Sequence, residues 1–72
     1  MSIVKLGNRL KVARAEKNLN QEELARLVGV TRQTISSIET GQYNPSTLLA
    51  FLLAQKLDKP VADLFFLEGD VS

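Results

Sequence analysis

Four polar side chains of types that can read the edges of DNA bases lie within one predicted helical segment. They are Arg32, Gln33, Ser36 and Ser37. Arginine pairs with guanine through two hydrogen bonds, glutamine pairs similarly with adenine, and serine can serve several bases at short range. Helical spacing turns Ile35 and Ile38 to the opposite side, so the four share an outward face that carries no acidic residue. An ordinary solvated helix surface is the alternative interpretation.

Residues for catalysis or metal binding are scarce in this sequence. It contains no cysteine and no histidine, which removes the usual soft metal ligand, the commonest general base and any disulfide. It also lacks a glycine-rich phosphate loop, and its acidic residues form no convincing pair. We therefore expect no catalytic residue, no metal site, no cofactor and no enzyme activity.

Positive charge is concentrated in the first half of the chain. Residues 1–34 carry seven Lys and Arg against three Glu, whereas residues 35–72 carry two Lys against five Asp and Glu. A polyanion would therefore prefer the first half, although scatter in so small a sample could produce the same pattern. No long apolar run is present, so we expect a cytoplasmic protein without a membrane partner.

Hydrophobic periodicity and capping residues predict an all-α fold of four to five helices in a single domain, residues 1–72. Asn18 can end the first helix in a left-handed conformation, and Asn20 with Glu23 resembles a capping box. The predicted helices run from about 5 to 17, Gln21 to Gly29, Thr31 to Thr40, Ser46 to Leu57, and Pro60 to Phe65. Short apolar segments at 3–4 and 65–67 could form a minor terminal β ribbon.

The stretch from Gln21 to Thr40 has the pattern of two short helices that pack at a steep angle. Ala25 supplies the small side chain needed where such helices approach most closely. Four residues later, Gly29 supplies a residue that tolerates positive φ, and Thr31 can cap the next helix. The remaining apolar contacts come from Leu24, Val28, Val30, Ile35 and Ile38. The complete set predicts a helix-turn-helix.

With these motifs, the chain resembles the lambda-repressor-like regulators of the phage repressor, Cro and Xre type. The resemblance runs from about Leu6 to Phe65, and it rests on the segments NQEELARLVGVTRQTISSIETG, YNPS and PVADLF. It is closest to short stand-alone members that contain little beyond the DNA-binding domain. Repressors of this kind place the second helix of the motif in the major groove.

The resemblance implies a role for each matching residue. It implies base contacts from Arg32, Gln33 and Ser37, with Ser36 beside them. Contacts to the DNA backbone are implied for Asn20, Gln21, Thr31, Thr34, Tyr43 and Asn44. Arg14 and Glu39 match a pair that ties the first helix to the end of the recognition helix; a surface contact of little energetic value is the alternative for that pair.

Two leucines depart from the family pattern, which more often has polar residues at Leu27 and Leu52. Leu52 makes the fourth helix apolar almost all round, and such a helix is either deeply buried or partly committed to another chain. We therefore expect residues 46–67 to mediate dimerisation. The predicted dimer interface comprises Leu52, Phe65, Phe66 and Leu67.

These expectations combine into a homodimer that binds double-stranded DNA at a pseudo-palindromic operator, most simply as a repressor. An antitoxin with the same fold is a second possibility, in which the apolar fourth helix and tail would contact a toxin. The protein partners that we consider are thus a toxin or an antirepressor. A protein-interaction module that has lost DNA binding is a third, and the intact Gln21, Arg32 and Gln33 argue against it.

Overall fold

Five helices and a two-stranded ribbon make up the fold within residues 3–70, the part of the chain that this computed structural model describes. In chain order the elements are β1 (Ile3–Asn8), α1 (Leu10–Glu16), α2 (Gln21–Val28), α3 (Arg32–Glu39), α4 (Thr47–Leu57), α5 (Val61–Leu64) and β2 (Phe65–Asp70). The predicted fold class, a helical domain with a terminal ribbon, is confirmed.

Side-chain caps determine where three of the helices begin. The Asn20 side chain accepts the Glu23 N–H at 2.7 Å, and the Glu23 carboxylate accepts the Asn20 N–H at 2.8 Å, which is the predicted capping box. Thr31 and Ser46 accept N–H bonds from the first turns of α3 and α4, at 3.3 and 3.1 Å. The predicted starts of these helices are confirmed.

The first helix is shorter than predicted because its expected first turn belongs to the ribbon. The prediction was helix over residues 5–17, whereas α1 spans Leu10–Glu16 and residues up to Asn8 form β1. Pairing with β2 satisfies the backbone groups of β1, and the Asn8 side chain accepts the Leu10 N–H at 3.1 Å. Asn18 adopts the predicted left-handed conformation, with φ 56°.

The ribbon joins the two ends of the described chain over six residues in each strand. β1 and β2 run antiparallel, with Leu6 opposite Leu67. Because side chains alternate between the faces of a strand, Phe65 and Leu67 share one face and Phe66 lies on the other. The Arg9 guanidinium carbon lies 4.4 Å from the centroid of the Phe66 ring, a cation–π contact that covers that second face.

One cluster of buried side chains forms the core, with members from all five helices and β2. They are Leu10, Ala13, Leu24, Ala25, Ile35, Ile38, Leu49, Leu53, Ala54, Leu57, Leu64 and Phe65. Phe65 is only 8% exposed, so its side chain fills the core of its own chain and leaves little surface for the predicted dimer interface. Within residues 3–70, no helix has both the length and the apolar character needed to cross a bilayer.

Two ion pairs fasten the end of α1 to the turn that follows α4. Lys17 Nζ lies 2.7 Å from the Asp58 carboxylate, and Lys59 Nζ lies 3.0 Å from that of Glu16. The Lys17 ammonium, through its hydrogen bond and its charge, holds the pKa of Asp58 below its usual range. Because both pairs are largely exposed to solvent, they contribute little to stability.

Ala25 is 2% exposed, and the sequence places it where α2 and α3 approach most closely. A larger side chain at this position should therefore destabilise the fold. Ala25→Leu should lower the free energy of unfolding by about 1–3 kcal/mol, because the added atoms overfill a packed site. Urea denaturation followed by circular dichroism measures this change. Ala15→Leu, at an exposed position of α1, is the control and should change stability by less than about 0.5 kcal/mol. Equal effects of the two substitutions would contradict the close-packed interface.

Candidate nucleic-acid interface

A three-residue turn sets the angle between α2 and α3. Gly29 has φ 76°, in the left-handed region where glycine is favoured, and its conformation lets the Val30 N–H donate to the Ala25 carbonyl at 3.0 Å. Thr31 then caps α3, and its hydroxyl lies 3.0 Å from that of Thr34. The turn therefore has the left-handed glycine and the threonine cap that the sequence predicted.

One side of α3 is locked into the core and the other faces solvent. Ile35 and Ile38 are 0% and 1% exposed. The polar residues predicted to contact bases divide into two exposed side chains near the helix start and two half-buried serines; they are Arg32, Gln33, Ser36 and Ser37. The solvent-facing side of α3, called the outer face below, thus presents the predicted side chains, while the buried Ile35 and Ile38 fix the position of the helix.

The outer face of α3 is partly preorganised. Gln33 Nε2 donates to the Ser37 hydroxyl at 3.2 Å, one helical turn away. This bond restrains the Gln33 carboxamide and still leaves its oxygen and second N–H for a base edge. Among the residues that the structure describes, Arg32 forms no ion pair, so its guanidinium is available to an anionic ligand.

The residues predicted to contact the DNA backbone fall into three groups. Asn20 and Gln21 stand at the start of α2, Thr31 and Thr34 at the start of α3, and the exposed Tyr43 and Asn44 in the loop after α3. That loop folds back on α3, because the N–H groups of residues 42 and 43 both donate to the Ser37 carbonyl, at 2.9 and 3.2 Å. All three groups therefore adjoin the ends of α2 or α3.

Arg14 and Glu39 form a largely buried ion pair between α1 and the end of α3. Their side chains are 14% and 6% exposed, and Arg14 Nε donates to a Glu39 oxygen at 2.8 Å. A second guanidinium nitrogen donates to the Leu19 carbonyl at 2.8 Å. The contact is thus more buried than the surface pair that the sequence left open as an alternative, and it extends to the loop before α2.

Two contacts of this site were missed by sequence reasoning. Gln21 Nε2 donates to Glu39 at 3.1 Å, which links the start of α2 to the end of α3. Asn8 Nδ2 donates to the Ile38 carbonyl at 2.9 Å, which links the ribbon to the same end of α3. A glutamine at the first position of a helix gives no signal of a distant partner. Asn8, two residues before α1, carried a capping signal that could have moved the predicted helix start.

A helix-turn-helix family model matches residues 10–64, which include all five helices. An uncharacterized HTH-type transcriptional regulator from Methanocaldococcus jannaschii is 49% identical over 65 residues, covering 90% of this chain and 98% of that protein. The crystal structure of the restriction-modification controller protein C.AhdI from Aeromonas hydrophila is similar with a TM-score of 0.72 and 38% identity, covering 76% of this chain and 80% of that one.

A more distant similarity, 34% identity, extends to the antitoxin PezA from Streptococcus pneumoniae; it covers 82% of this chain but only 37% of that protein. The matches with high coverage agree with the helix-turn-helix that α2 and α3 form. The chain therefore belongs to the lambda-repressor-like, Xre-type helix-turn-helix family and is a DNA-binding transcriptional regulator.

Proposed function

We propose that this protein is a repressor that occupies a pseudo-palindromic operator as a homodimer and reads it with α3 in the major groove. The observation that carries the proposal is the outer face of α3, where exposed Arg32 and Gln33 project from a helix held from behind by buried Ile35 and Ile38. A rigid helix holds base-reading side chains in a narrow range of positions, which sequence discrimination requires.

Each polar residue of the outer face has a role in this proposal. Arg32 pairs with guanine, because its guanidinium donors match the two acceptors on the edge of that base. Gln33 pairs with adenine, because its carboxamide matches the donor and the acceptor there. Ser36 and Ser37 lie one helical turn further along the same face of α3 and approach the base edges beside Arg32 and Gln33. The Gln33–Ser37 hydrogen bond at 3.2 Å lets the two residues act together.

Backbone contacts determine the register of α3 in the groove. The first turns of α2 and α3 direct N–H groups outward, and such groups bind phosphate well. We assign phosphate contacts to Gln21 and Thr31 with their neighbours Asn20 and Thr34, and to Tyr43 and Asn44 after α3. Tyr43 is 48% exposed, so its ring can lie along a sugar–phosphate strand.

A homodimer follows from the small number of base pairs that one helix can read. Two-fold symmetry places two recognition helices about 34 Å apart, on successive turns of the major groove. Exposed apolar side chains offer a surface for this pairing. Leu48 and Phe51 on α4 are 71% and 60% exposed, and the half-buried Leu52 shares their stripe at helical spacing.

We also assign one face of the ribbon to the proposed dimer surface. Leu67 is 70% exposed and lies on the ribbon face that continues outward from the buried Phe65. An isolated two-stranded ribbon is marginally stable, so covering this face with a second copy would stabilise it. Phe66, another predicted interface residue, belongs to the opposite face, where the Arg9 guanidinium lies over its ring and leaves less of it for a second copy.

An antitoxin is the second candidate function, and the similarity to PezA favours it. In that case the same apolar stripe on α4 would contact a toxin instead of a second copy. Because the similarity covers 37% of PezA, it does not carry that protein's role to this chain. A purified protein that is monomeric at every concentration would favour the antitoxin over the dimeric repressor.

Replacing Arg32 should relax the sequence preference at one position of each half-site. Arg32→Ala should weaken binding to the preferred duplex by about 1–3 kcal/mol, because a bidentate contact to guanine is lost. Binding to duplexes in which that guanine is replaced should change much less, since they lack this contact already. Fluorescence anisotropy with a panel of single-base variants measures both effects. Lys11→Ala removes an exposed positive charge on α1, outside both the proposed DNA interface and the proposed dimer interface, and is the matched control. A uniform loss across the panel would contradict base reading by Arg32.

Adding charge to the apolar stripe of α4 should separate the dimer. Phe51→Glu should convert the protein to a monomer in sedimentation equilibrium, because pairing would bury an unpaired carboxylate. Val12→Glu introduces the same charge at an α1 position that is also 60% exposed, and should leave the dimer intact. A Phe51→Glu protein that dimerises as tightly as the unmodified chain would exclude this stripe as the interface.

A further inference from the structure

The Glu39 carboxylate links both ends of the helix-turn-helix. It accepts hydrogen bonds from Arg14 Nε at 2.8 Å and Arg14 Nη2 at 3.3 Å, and from Gln21 Nε2 at 3.1 Å. The Glu39 side chain is 6% exposed, so water competes little for these bonds. The last residue of the recognition helix therefore contacts the first residue of α2 directly.

This contact determines how the Gln21 carboxamide is turned. An ionised carboxylate only accepts hydrogen bonds, so the nitrogen of the amide, and not its oxygen, must face Glu39. One N–H is used there and the second stays available. The backbone N–H of Gln21 lies in the first turn of α2 and has no acceptor within the helix. Glu39 thus holds the half-buried Gln21 side chain beside the backbone N–H of Gln21.

Arg14 makes this arrangement compatible with a phosphate. A carboxylate next to a phosphate site repels the ligand unless a cation compensates its charge. The Arg14 guanidinium supplies that compensation, and its bond to the Leu19 carbonyl at 2.8 Å anchors it to the loop before α2. The charge of Glu39 can then orient Gln21 without weakening anion binding.

We propose that Glu39 is a positioning residue for DNA affinity, because it holds Gln21 in the orientation that contacts a phosphate. The inference rests on the proposed function, since it assumes that Gln21 meets the DNA backbone. A glutamine that is already immobilised loses little side-chain entropy when it binds. Glu39 therefore raises affinity for every duplex to the same degree and contributes no sequence preference.

The first test measures the motion of the Gln21 side-chain amide in the free protein by ¹⁵N relaxation. The exposed Gln42, in the loop after α3, serves as an internal reference. The order parameter of the Gln21 amide should approach the value of rigid backbone, about 0.85, while that of the Gln42 amide should fall below about 0.6. Equal mobility of the two amides would overturn the proposal, and this test needs no variant.

The second test is a double-mutant cycle on DNA binding with Glu39→Asp and Gln21→Ala. Glu39→Asp keeps the charge that pairs with Arg14 but withdraws the carboxylate from Gln21 by one methylene. Each single substitution should weaken binding to all duplexes about three- to tenfold, the value of one hydrogen bond. The double variant should bind within about twofold of Gln21→Ala, because Glu39 acts through Gln21.

Glu16→Asp is the matched control, since it shortens the carboxylate paired with Lys59 on a different part of the surface. It should leave DNA affinity unchanged. Losses that multiply in the double variant, or a Gln21→Ala protein with unchanged affinity, would overturn the positioning role while the proposed function stands. An unmodified protein that binds no duplex would overturn the proposed function itself.

Discussion

The Glu39 carboxylate must be neutralised where the end of α3 meets α1 and the start of α2. It is almost completely buried, and a carboxylate left unpaired in such a place costs several kcal/mol. Arg14 provides the neutralising cation, and its donor groups reach both Glu39 and the Leu19 carbonyl. Consequently α1 must cross the end of the recognition helix, and the loop before α2 must return to the same point.

The outer face of α3 depends on this arrangement for its position. Buried isoleucines hold the helix from behind, the ion pair holds its C-terminal end, and Thr31 caps its N-terminal end. Asn8 adds a bond from the ribbon to the Ile38 carbonyl, so the part of the fold proposed to meet a second copy is joined to the part proposed to meet DNA. In the proposed dimer, the spacing of the two half-sites would therefore depend on the same framework that positions Arg32.

Local signals in the sequence predicted most of the helical fold. Caps at Asn20, Thr31 and Ser46, and the left-handed Gly29, depend on near neighbours in the chain, so residue types reveal them. The ribbon was underestimated because β1 gains its partner from the other end of the chain, and Leu6 fits a helical period as well as a strand.

The candidate nucleic-acid interface was likewise predictable where it depends on local pattern or on family resemblance, and not where it depends on contacts between distant residues. The outward face of α3 follows from helical periodicity, and the Arg14–Glu39 pair followed from family resemblance. The link from Gln21 to Glu39 joins residues eighteen positions apart through a fold that periodicity does not describe. Phe65 was placed in the interface because an aromatic tail resembles an exposed patch, but the turn from α5 into β2 directs its side chain to the core.

The most direct test of sequence reading by α3 is selection of bound sequences from a random pool of duplex DNA, with the purified chain at low salt. Low salt is needed because phosphate contacts dominate affinity and weaken steeply as salt rises. We predict one motif of two inverted half-sites whose centres lie about one helical turn apart, as a two-fold pair of recognition helices requires. Recovery of a pool without a motif would contradict sequence reading by α3.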